Sequence, residues 1–299
     1  DGLELYWNNG DAALRLADAI AHRRGFGDIL AEGPLRAAEK IGRNSLYYVR
    51  QTKGSPHYNF NHTNFRGHAL ATSVGARCDE IRGQPWWEMD MASQAMDAGE
   101  PEENWRRYVK DFTHSCVQFS GTPLGAFPLE YTGKAEEVAY IEDAAGGIAD
   151  LVGNCRWHTE WLNLPTTPDV QAEVLSAGLG RDVTAEDLLR FQWRVRQLER
   201  SFDCREGVRR QHDTLPDRSF AEATVNGRFK GDRLDRDKFE AMKDRYYELR
   251  GWDRETGVPT RETLEEHGLR DVADELERLN VLPPRREAVQ QAEEVVTSA

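Results

Sequence analysis

Segments with apolar residues at helical spacing recur along this 299-residue sequence and constrain its fold most strongly. Residues 11–22 and 29–41 carry apolar side chains three or four positions apart, and residues 133–152, 184–204 and 237–249 repeat the pattern. Such spacing places apolar side chains along one side of an α-helix. In the fourth segment this side comprises Leu188, Leu189, Phe191, Val195 and Leu198. We therefore predict a mainly α fold.

A stretch of different composition interrupts the helical segments. Residues 47–82 are rich in glycine, proline, asparagine, histidine and aromatic residues, which is typical of loops that line a ligand site. A second run of helical segments follows Pro165. Because a chain of this length commonly forms about two domains, we predict a helical domain with loop-rich, cofactor-facing segments at residues 1–164. A C-terminal helical domain is predicted at residues 165–299.

The acidic composition limits the partners that this chain can have. Its net charge of −13 repels the phosphate backbone, so we expect no nucleic-acid partner. No run approaches the roughly 18 consecutive apolar residues of a membrane span, and nothing at the start resembles a secretion signal. We therefore expect a cytoplasmic protein without a membrane span. The chain opens on Asp1 rather than methionine, so we expect that further residues precede it.

The four cysteines are too far apart to form a small site by themselves. Cys78, Cys116, Cys155 and Cys204 lie roughly forty residues apart, and no CxxC pair is present. This spacing excludes a compact disulfide framework. A self-contained zinc or iron-sulfur site normally uses two close pairs or a tight triplet of cysteines. Any cluster bound here must therefore take ligands from other sequence.

The sharpest local motif is DxxGxC, which runs from Asp150 through Gly153 to Cys155 at the end of a predicted helix. At average residue usage this pattern arises by chance in about one or two chains per hundred of this length. A lone cysteine is most often a small buried apolar residue. The motif alone therefore leaves two interpretations open: a buried thiol or a metal ligand.

Other segments agree with one known family on both sides of this motif. They are DGLEL at residues 1–5, RGFGDILAEG at 24–33, AAEKIG at 37–42, RG at 66–67, ATS at 71–73, RSFDCREG at 200–207, DTLP at 213–216 and YYELRGWD at 246–253. Together with DxxGxC, these segments resemble the aldehyde ferredoxin oxidoreductase family, and the matches extend to about Leu269. The motif corresponds to the second of two DxxGL(C/D) motifs that contact pterin in that family.

The resemblance implies a fold and a set of cofactors. It implies two helical domains of the aldehyde ferredoxin oxidoreductase type, without the N-terminal pterin-binding sheet domain. The cofactors would be a tungsten or molybdenum bis-pyranopterin and a 4Fe-4S cluster. Cys155 would be the fourth thiolate ligand of the cluster, and Asp150 would accept hydrogen bonds from a pterin edge. Gly153 would allow close approach of the backbone, which Asn154 and Arg156 would line. Asn154 departs from the leucine that is usual there.

A larger departure follows the ATS segment. Family members commonly continue with RGACHLR, which puts a histidine beside the metal, whereas this chain has Arg77, Cys78, Asp79 and Arg82 in that region. Cys78 or Asp79 would take the place of the histidine, and Cys78 is either a tungsten ligand or a buried thiol. The two arginines would contact pterin phosphate or ring oxygens; the alternative is a role in surface ion pairs.

Three histidines in the loop-rich stretch are candidates for the missing proton donor. They are His57, His62 and His68, among which we take His62 as the catalytic candidate. For each of them the alternative is a hydrogen-bonded structural histidine.

The resemblance implies an oxidoreductase that interconverts aldehydes and carboxylates. Its protein partners would be the N-terminal pterin-binding half and either ferredoxin or an electron-transfer subunit. Its substrate would be a small carbonyl or acyl compound. We also expect an oligomer. Two alternatives remain. One is an aromatic acyl-coenzyme A reductase of the benzoyl-coenzyme A type, which belongs to the same family. The other is a helical interaction subunit without catalytic activity.

Overall fold

The computed structural model describes residues 2–57, 62–76, 83–85, 88, 116–156, 167–227 and 229–284. This part of the chain is mainly helical, as predicted. Its strands are β1 (Gln51–Thr52) and β2 (Ser55–Pro56), which form a two-residue antiparallel hairpin in which Gln51 lies opposite Pro56. Arg77, Cys78, Asp79 and Arg82 lie outside the described residues, so the roles predicted for them remain predictions.

The N-terminal helices are α1 (Gly10–Ala21), α2 (Phe26–Leu30) and α3 (Pro34–Ile41), followed by the 3₁₀ turn Ser45–Tyr48. The prediction of a single helix at residues 29–41 is wrong. Gly33, with a φ of 86°, ends the turn after α2, and Pro34 starts a new helix in its first turn. A Cβ at Gly27 would lie 2.4 Å from the Ala19 carbonyl carbon, so glycine permits the close contact between α1 and α2.

Helix α4 (Arg66–Val74) lies within the stretch that the composition predicts as loops, so that prediction is wrong for these nine residues. Every residue of α4 is buried. A helix that is buried on all sides shows no alternation of polar and apolar faces, and so its sequence carries no periodic signal. Its apolar residues join the main core. The larger members of that core are Leu70, Leu215, Phe220, Leu234, Phe239, Met242, Tyr246, Tyr247 and Trp252.

The helix predicted at residues 133–152 is present with one irregularity. It consists of α5 (Lys134–Tyr140), a π-helical turn (Ile141–Ala145) and α6 (Gly146–Val152) in direct succession. A π-turn adds one residue to the helical turn and so rotates the following segment about the helix axis. The direction in which the end of α6 points therefore depends on this turn.

The C-terminal helices begin with α7 (Pro168–Leu179) and α8 (Ala185–Arg205). They continue with α9 (Arg218–Ala221), α10 (Arg236–Arg250), α11 (Arg261–Glu266) and α12 (Arg270–Arg278). Helix α8 begins with a capping box, in which the Thr184 hydroxyl accepts from the Asp187 amide at 3.1 Å and Asp187 accepts from the Thr184 amide at 3.1 Å. Gly251 ends α10 in a left-handed conformation.

The burial of α8 contradicts its apolar pattern. Leu188 is buried, but Phe191 is 56% exposed and Leu198 is 47% exposed. Polar side chains of the same helix face the interior instead: Gln192, Arg196, Gln197, Arg200 and Ser201. Arg200 pairs with the buried Asp213 at 2.6 Å. Ionic and hydrogen-bonded contacts, rather than hydropathy, therefore determine which side of α8 faces inward.

Candidate functional site

The DxxGxC motif forms the turn that ends α6. Gly153 adopts a left-handed conformation with a φ of 74°, and the Asn154 amide donates to the Ala149 carbonyl at 2.8 Å. This arrangement is a common way to satisfy the last carbonyl groups of a helix. Among the residues that the structure describes, none has an atom within 4 Å of the place where a Cβ on Gly153 would stand, so this side of the turn is open with respect to them.

The side chains of the turn are held locally. The Asn154 side-chain oxygen accepts from the Cys155 amide at 2.9 Å. Arg156 donates to both carboxylate oxygens of Asp150, at 3.0 Å each. The Asp150 side chain is 36% exposed, and Cys155 is exposed as a free thiol. The structure therefore brings together the five residues that the motif predicts as one site.

The exposed thiol of Cys155 does not match the interpretation as a buried cysteine, and its role as a metal ligand stays a prediction. A small buried apolar cysteine would be enclosed, as Cys116 and Cys204 are. An open thiol next to a carboxylate suits an iron-sulfur ligand beside a hydrogen-bond acceptor. In the part of the chain that the structure describes, no group of three or more histidine, cysteine or acidic side chains could hold a metal ion alone. The turn thus fits one ligand of a cluster whose other ligands come from elsewhere.

A buried ionic cluster fixes the π-turn that precedes this site. Arg250 donates to Asp143 at 2.8 Å and to Glu142 at 2.6 Å, and Trp193 donates to Asp143 at 2.8 Å. Tyr246 donates to Glu142 at 2.5 Å. We call these five residues, with Arg196, the π-turn cluster. Sequence reasoning missed this cluster; its only signal was two adjacent acidic residues inside an otherwise apolar helical segment.

The charges in the π-turn cluster affect its two carboxyl groups differently. Burial raises the pKa of Glu142, but Arg196 and Arg250 outweigh burial and hold that pKa below its usual value. Burial raises the pKa of Asp143, and Arg250 offsets only part of this effect. Glu142 is therefore the carboxylate on which the ionic character of the cluster depends.

The three candidate histidines lie in two separate clusters. His62 begins the 3₁₀ turn His62–Asn64; its Nδ1 is 3.5 Å from the Thr72 hydroxyl, and its ring centroid is 5.0 Å from that of His57. His68 instead faces Glu88 at 3.0 Å, and Glu88 also pairs with Lys134. The structure therefore pairs His62 with His57, whereas His68 pairs with Glu88.

Burial lowers the pKa of each of these histidines. It lowers the pKa of His57 to about 4, with a further contribution from Arg50. The pKa of His62 lies well below its usual value for the same reason, with His57 adding to the effect. Burial also lowers the pKa of His68, although Glu88 opposes it. All three rings are consequently neutral near pH 7, where a ring can accept a proton on one nitrogen and donate from the other.

A cavity of about 780 Å³ lies between the segment that contains the hairpin and residues 206–217. Lys53 and Thr52 line it on one side, and His212 and Thr214 line it on the other. The Lys53 ammonium group pairs with buried Asp213 at 2.7 Å. This volume lies within the range of small-molecule sites, about 300–1,000 Å³.

Comparison with solved structures shows that this helical arrangement is a known fold. The chain resembles a chain of the active-site complex BamBC of benzoyl coenzyme A reductase, in complex with 1,5-dienoyl-CoA, with a TM-score of 0.66 and 23% identity. The match covers 95% of this chain and 42% of that chain, and it concerns the fold. Among the described residues, no helix has the length and apolarity required to cross a membrane.

The particular family follows from the sequence. A family model described as aldehyde ferredoxin oxidoreductase, domains 2 and 3, matches residues 1–269. The chain belongs to the aldehyde ferredoxin oxidoreductase family. This match confirms the predicted family and the predicted type of helical domains; the boundary at residues 164 and 165 stays a prediction.

Two relatives illustrate the range of the family. The tungsten-containing aldehyde ferredoxin oxidoreductase of Pyrococcus furiosus is 27% identical over 270 residues, which is 90% of this chain and 38% of that protein. An aliphatic sulfonate oxidoreductase, WOR-like subunit, of the same organism is 29% identical over 290 residues, or 93% of this chain and 38% of that protein. The chain thus spans well under half the length of the relatives it matches.

Proposed function

We propose that this chain forms the helical part of a tungsten bis-pyranopterin and 4Fe-4S oxidoreductase that interconverts aldehydes and carboxylates. Molybdenum is the alternative metal. One observation carries the proposal: the DxxGxC turn presents the Cys155 thiol at an open surface, in a chain that belongs to this family. If Cys155 were buried, the DxxGxC motif would supply no accessible thiolate for a cluster.

Each residue of the turn has a role that suits its chemistry. Cys155 would ligate the cluster as a thiolate, and the Asp150 carboxylate would accept hydrogen bonds from a pterin edge while Arg156 keeps it oriented. Gly153 leaves space for close approach, and Asn154 holds the Cys155 amide. When bound, the metal and its pterins supply the two-electron chemistry, and this chain supplies binding, orientation and protons.

The proposal includes partners. Because the chain contributes one cluster ligand from its described part, the remaining ligands and most of the pterin contacts would come from an N-terminal pterin-binding half, on the same chain or on another. Electrons would pass to ferredoxin or to a dedicated electron-transfer subunit in the cytoplasm. One relative is named as a subunit, which supports an oligomeric assembly.

Metal analysis and turnover of the full-length protein test this proposal. Purified wild-type protein is expected to contain tungsten or molybdenum with iron, and to reduce a viologen dye with aldehydes. C155S should lower the iron content and the turnover, because a serine hydroxyl is a poor iron-sulfur ligand. C204A is the matched control, since Cys204 is enclosed next to the Gly257 carbonyl. Equal iron in C155S and wild type would refute the role of Cys155.

A second candidate function keeps the cofactors and changes the substrate. The family's usual histidine is absent between Arg77 and Arg82, and a cysteine stands nearby. This departure favours reduction of an aromatic acyl-coenzyme A thioester. Parallel assays with aldehydes, aromatic acyl-coenzyme A thioesters and aliphatic sulfonates separate the substrate classes, and turnover of aldehydes alone would remove the second candidate. A metal-free, colourless full-length protein would instead support an interaction subunit without catalytic activity.

A further inference from the structure

The π-turn leaves one backbone carbonyl group without its usual helical partner. In a regular α-helix each carbonyl accepts from the amide four positions ahead, so the Gly146 amide would donate to Glu142. Here the Gly146 amide donates to the Ile141 carbonyl instead, five positions back. The Glu142 carbonyl lies in a wholly buried turn, so it must find a donor elsewhere.

Gln192 of α8 supplies this donor. Its side-chain amide donates to the Glu142 carbonyl oxygen at 3.3 Å, and Gln192 is only 1% exposed. A buried carbonyl that loses its donor costs more free energy than one that water can reach. The contact between Gln192 and Glu142 therefore stabilises the π-turn more than a surface hydrogen bond would.

Gly147 is the residue that lets Gln192 come so close. A Cβ at Gly147 would stand 2.0 Å from the Glu142 carbonyl oxygen and 2.3 Å from the Gln192 side-chain amide. Any larger residue would push the helix and the amide apart. Gly147 is not among the glycines with a positive φ, so close packing rather than backbone freedom requires glycine here.

The helix that follows the π-turn carries the start of the DxxGxC motif. Ile148 is fully buried in a cluster with Ala172 and Leu188, whereas the Asp150 side chain, two positions later, is 36% exposed. Two positions correspond to about 200° around a helix, so the inward side of Ile148 and the outward side of Asp150 are set together. Without the extra residue of the π-turn, α6 would be rotated by about 100° relative to α5.

We propose that Gln192 and Gly147 are positioning residues, which hold the π-turn and so fix the direction in which α6 presents Asp150 and the Cys155 thiol. Both residues are buried, and they act through the Glu142 backbone rather than by contact with a cofactor. The consequence for cofactor binding rests on the proposed function. The direction of the thiol does not, and it can be measured without any cofactor.

Alkylation of Cys155 in metal-depleted, full-length protein tests this direction. Q192M removes the donor and nearly conserves the side-chain volume, and peptide mass spectrometry follows the labelling of Cys155 by iodoacetamide. The wild-type thiol is exposed, so rotation of α6 should move it towards the rest of the chain and slow labelling at least about threefold. Circular dichroism checks that the variant is folded.

Q197M is the matched control for Q192M. Gln197 lies on the same helix, is 3% exposed and donates at 2.8 Å to the carbonyl of Arg250, which belongs to α10 rather than to the π-turn. Q197M should lose stability but keep the wild-type labelling rate of Cys155. Equal slowing in Q197M and Q192M would overturn the proposal, because the effect would then reflect a general loss of structure.

G147A tests the steric part of the proposal. Its Cβ cannot stand next to the Glu142 carbonyl, so the turn must shift, and labelling of Cys155 should slow as in Q192M. G178A is the matched control, since Gly178 lies within α7 and no atom of a described residue lies within 4 Å of its Cβ position. G178A should label at the wild-type rate. If G147A does not fold, Q192M carries the same test.

The metal-loaded, full-length protein extends the test to the cofactors. Q192M should lower the iron content or shift the reduction potential of the cluster, measured by electron paramagnetic resonance, whereas Q197M should change neither. Slower labelling in Q192M, together with a wild type that contains no iron, would support the positioning role and refute the proposed function. Wild-type labelling rates and cluster potentials in both Q192M and G147A would overturn the positioning role.

Discussion

Two turns of one continuous helix differ sharply in how they are held. The π-turn at Ile141–Ala145 is wholly buried, and the π-turn cluster fixes it. The DxxGxC turn, which starts at Asp150 in the last turn of α6, exposes Cys155, and its described contacts include hydrogen bonds among its own residues. The π-turn cluster, which stabilises the helix, therefore lies one helical segment away from the DxxGxC residues that are proposed to contact the cofactors. Those residues can therefore face a partner surface without losing the geometry of the helix.

The largest expected effect comes from breaking the π-turn cluster. R250A would leave Glu142 and Asp143 buried beside one arginine fewer, and we expect a loss of about 3–5 kcal/mol in the free energy of unfolding. Chemical denaturation of the full-length protein measures it. R245A, on the same helix, is the matched control: Arg245 is 52% exposed, and its pairs should contribute below about 1 kcal/mol. Similar losses of unfolding free energy in R250A and R245A would contradict the special role of the buried π-turn cluster.

Acid should weaken the π-turn through protonation of Glu142. The pKa of Glu142 is lower in the folded state than its ordinary value of 4.5. Its contribution to stability is therefore fully present above pH 4.5 and is lost as the pH falls through the folded-state value. We expect the unfolding free energy of wild type to fall more steeply below pH 4.5 than that of E142Q. If the unfolding free energies of wild type and E142Q fall equally with decreasing pH, Glu142 has no ionic role in stability.

A moderate effect is expected at the backbone of the motif. Gly153 has a φ of 74°, so G153A should cost about 1–2 kcal/mol of stability through backbone strain alone. G153N is the matched variant, since asparagine tolerates this conformation better and should cost less. Thermal unfolding of both variants measures the difference. An equal cost for alanine and asparagine would show that the cost does not come from the left-handed backbone.

The smallest effect on stability should come from the partly exposed pair in the motif. R156A removes the partner of Asp150 and should change the unfolding free energy by less than about 1 kcal/mol. The same variant should lower the cofactor content, because Asp150 loses the group that orients it. Chemical denaturation measures the unfolding free energy of R156A, and elemental analysis of the same sample measures its cofactor content. If R156A loses much stability and keeps its normal metal content, the pair stabilises the fold rather than orienting a cofactor contact, and the proposed difference between the two turns is wrong.

The sequence predicted the parts of this fold that depend on local rules. Helices α1, α8 and α10 lie where apolar residues at helical spacing predicted them, to within one residue at each end. The prediction of a single helix at residues 29–41 was wrong because Gly33 and Pro34 together divide this segment into two helices. Helix α4 was missed because burial on all sides removes periodicity.

The candidate site was predictable only where a motif marks it. The five predicted residues of the motif, between Asp150 and Arg156, lie in one turn, and their roles toward a cofactor stay predictions. The π-turn cluster was not found, since Glu142 and Arg250 meet only through the tertiary fold, 108 positions apart. For the same reason the sequence could not show that His62 lies beside His57 and Thr72 rather than beside His68.

The inverted burial of α8 has a consequence for handling this protein. Its outward side carries Phe191, Leu198 and Phe202, each about half exposed, while arginine and glutamine hold its inward side. Rows of exposed aromatic and aliphatic groups promote self-association in dilute buffer. Charged replacements on this outward row should improve recovery of the isolated chain during purification, because none of the inward contacts would change.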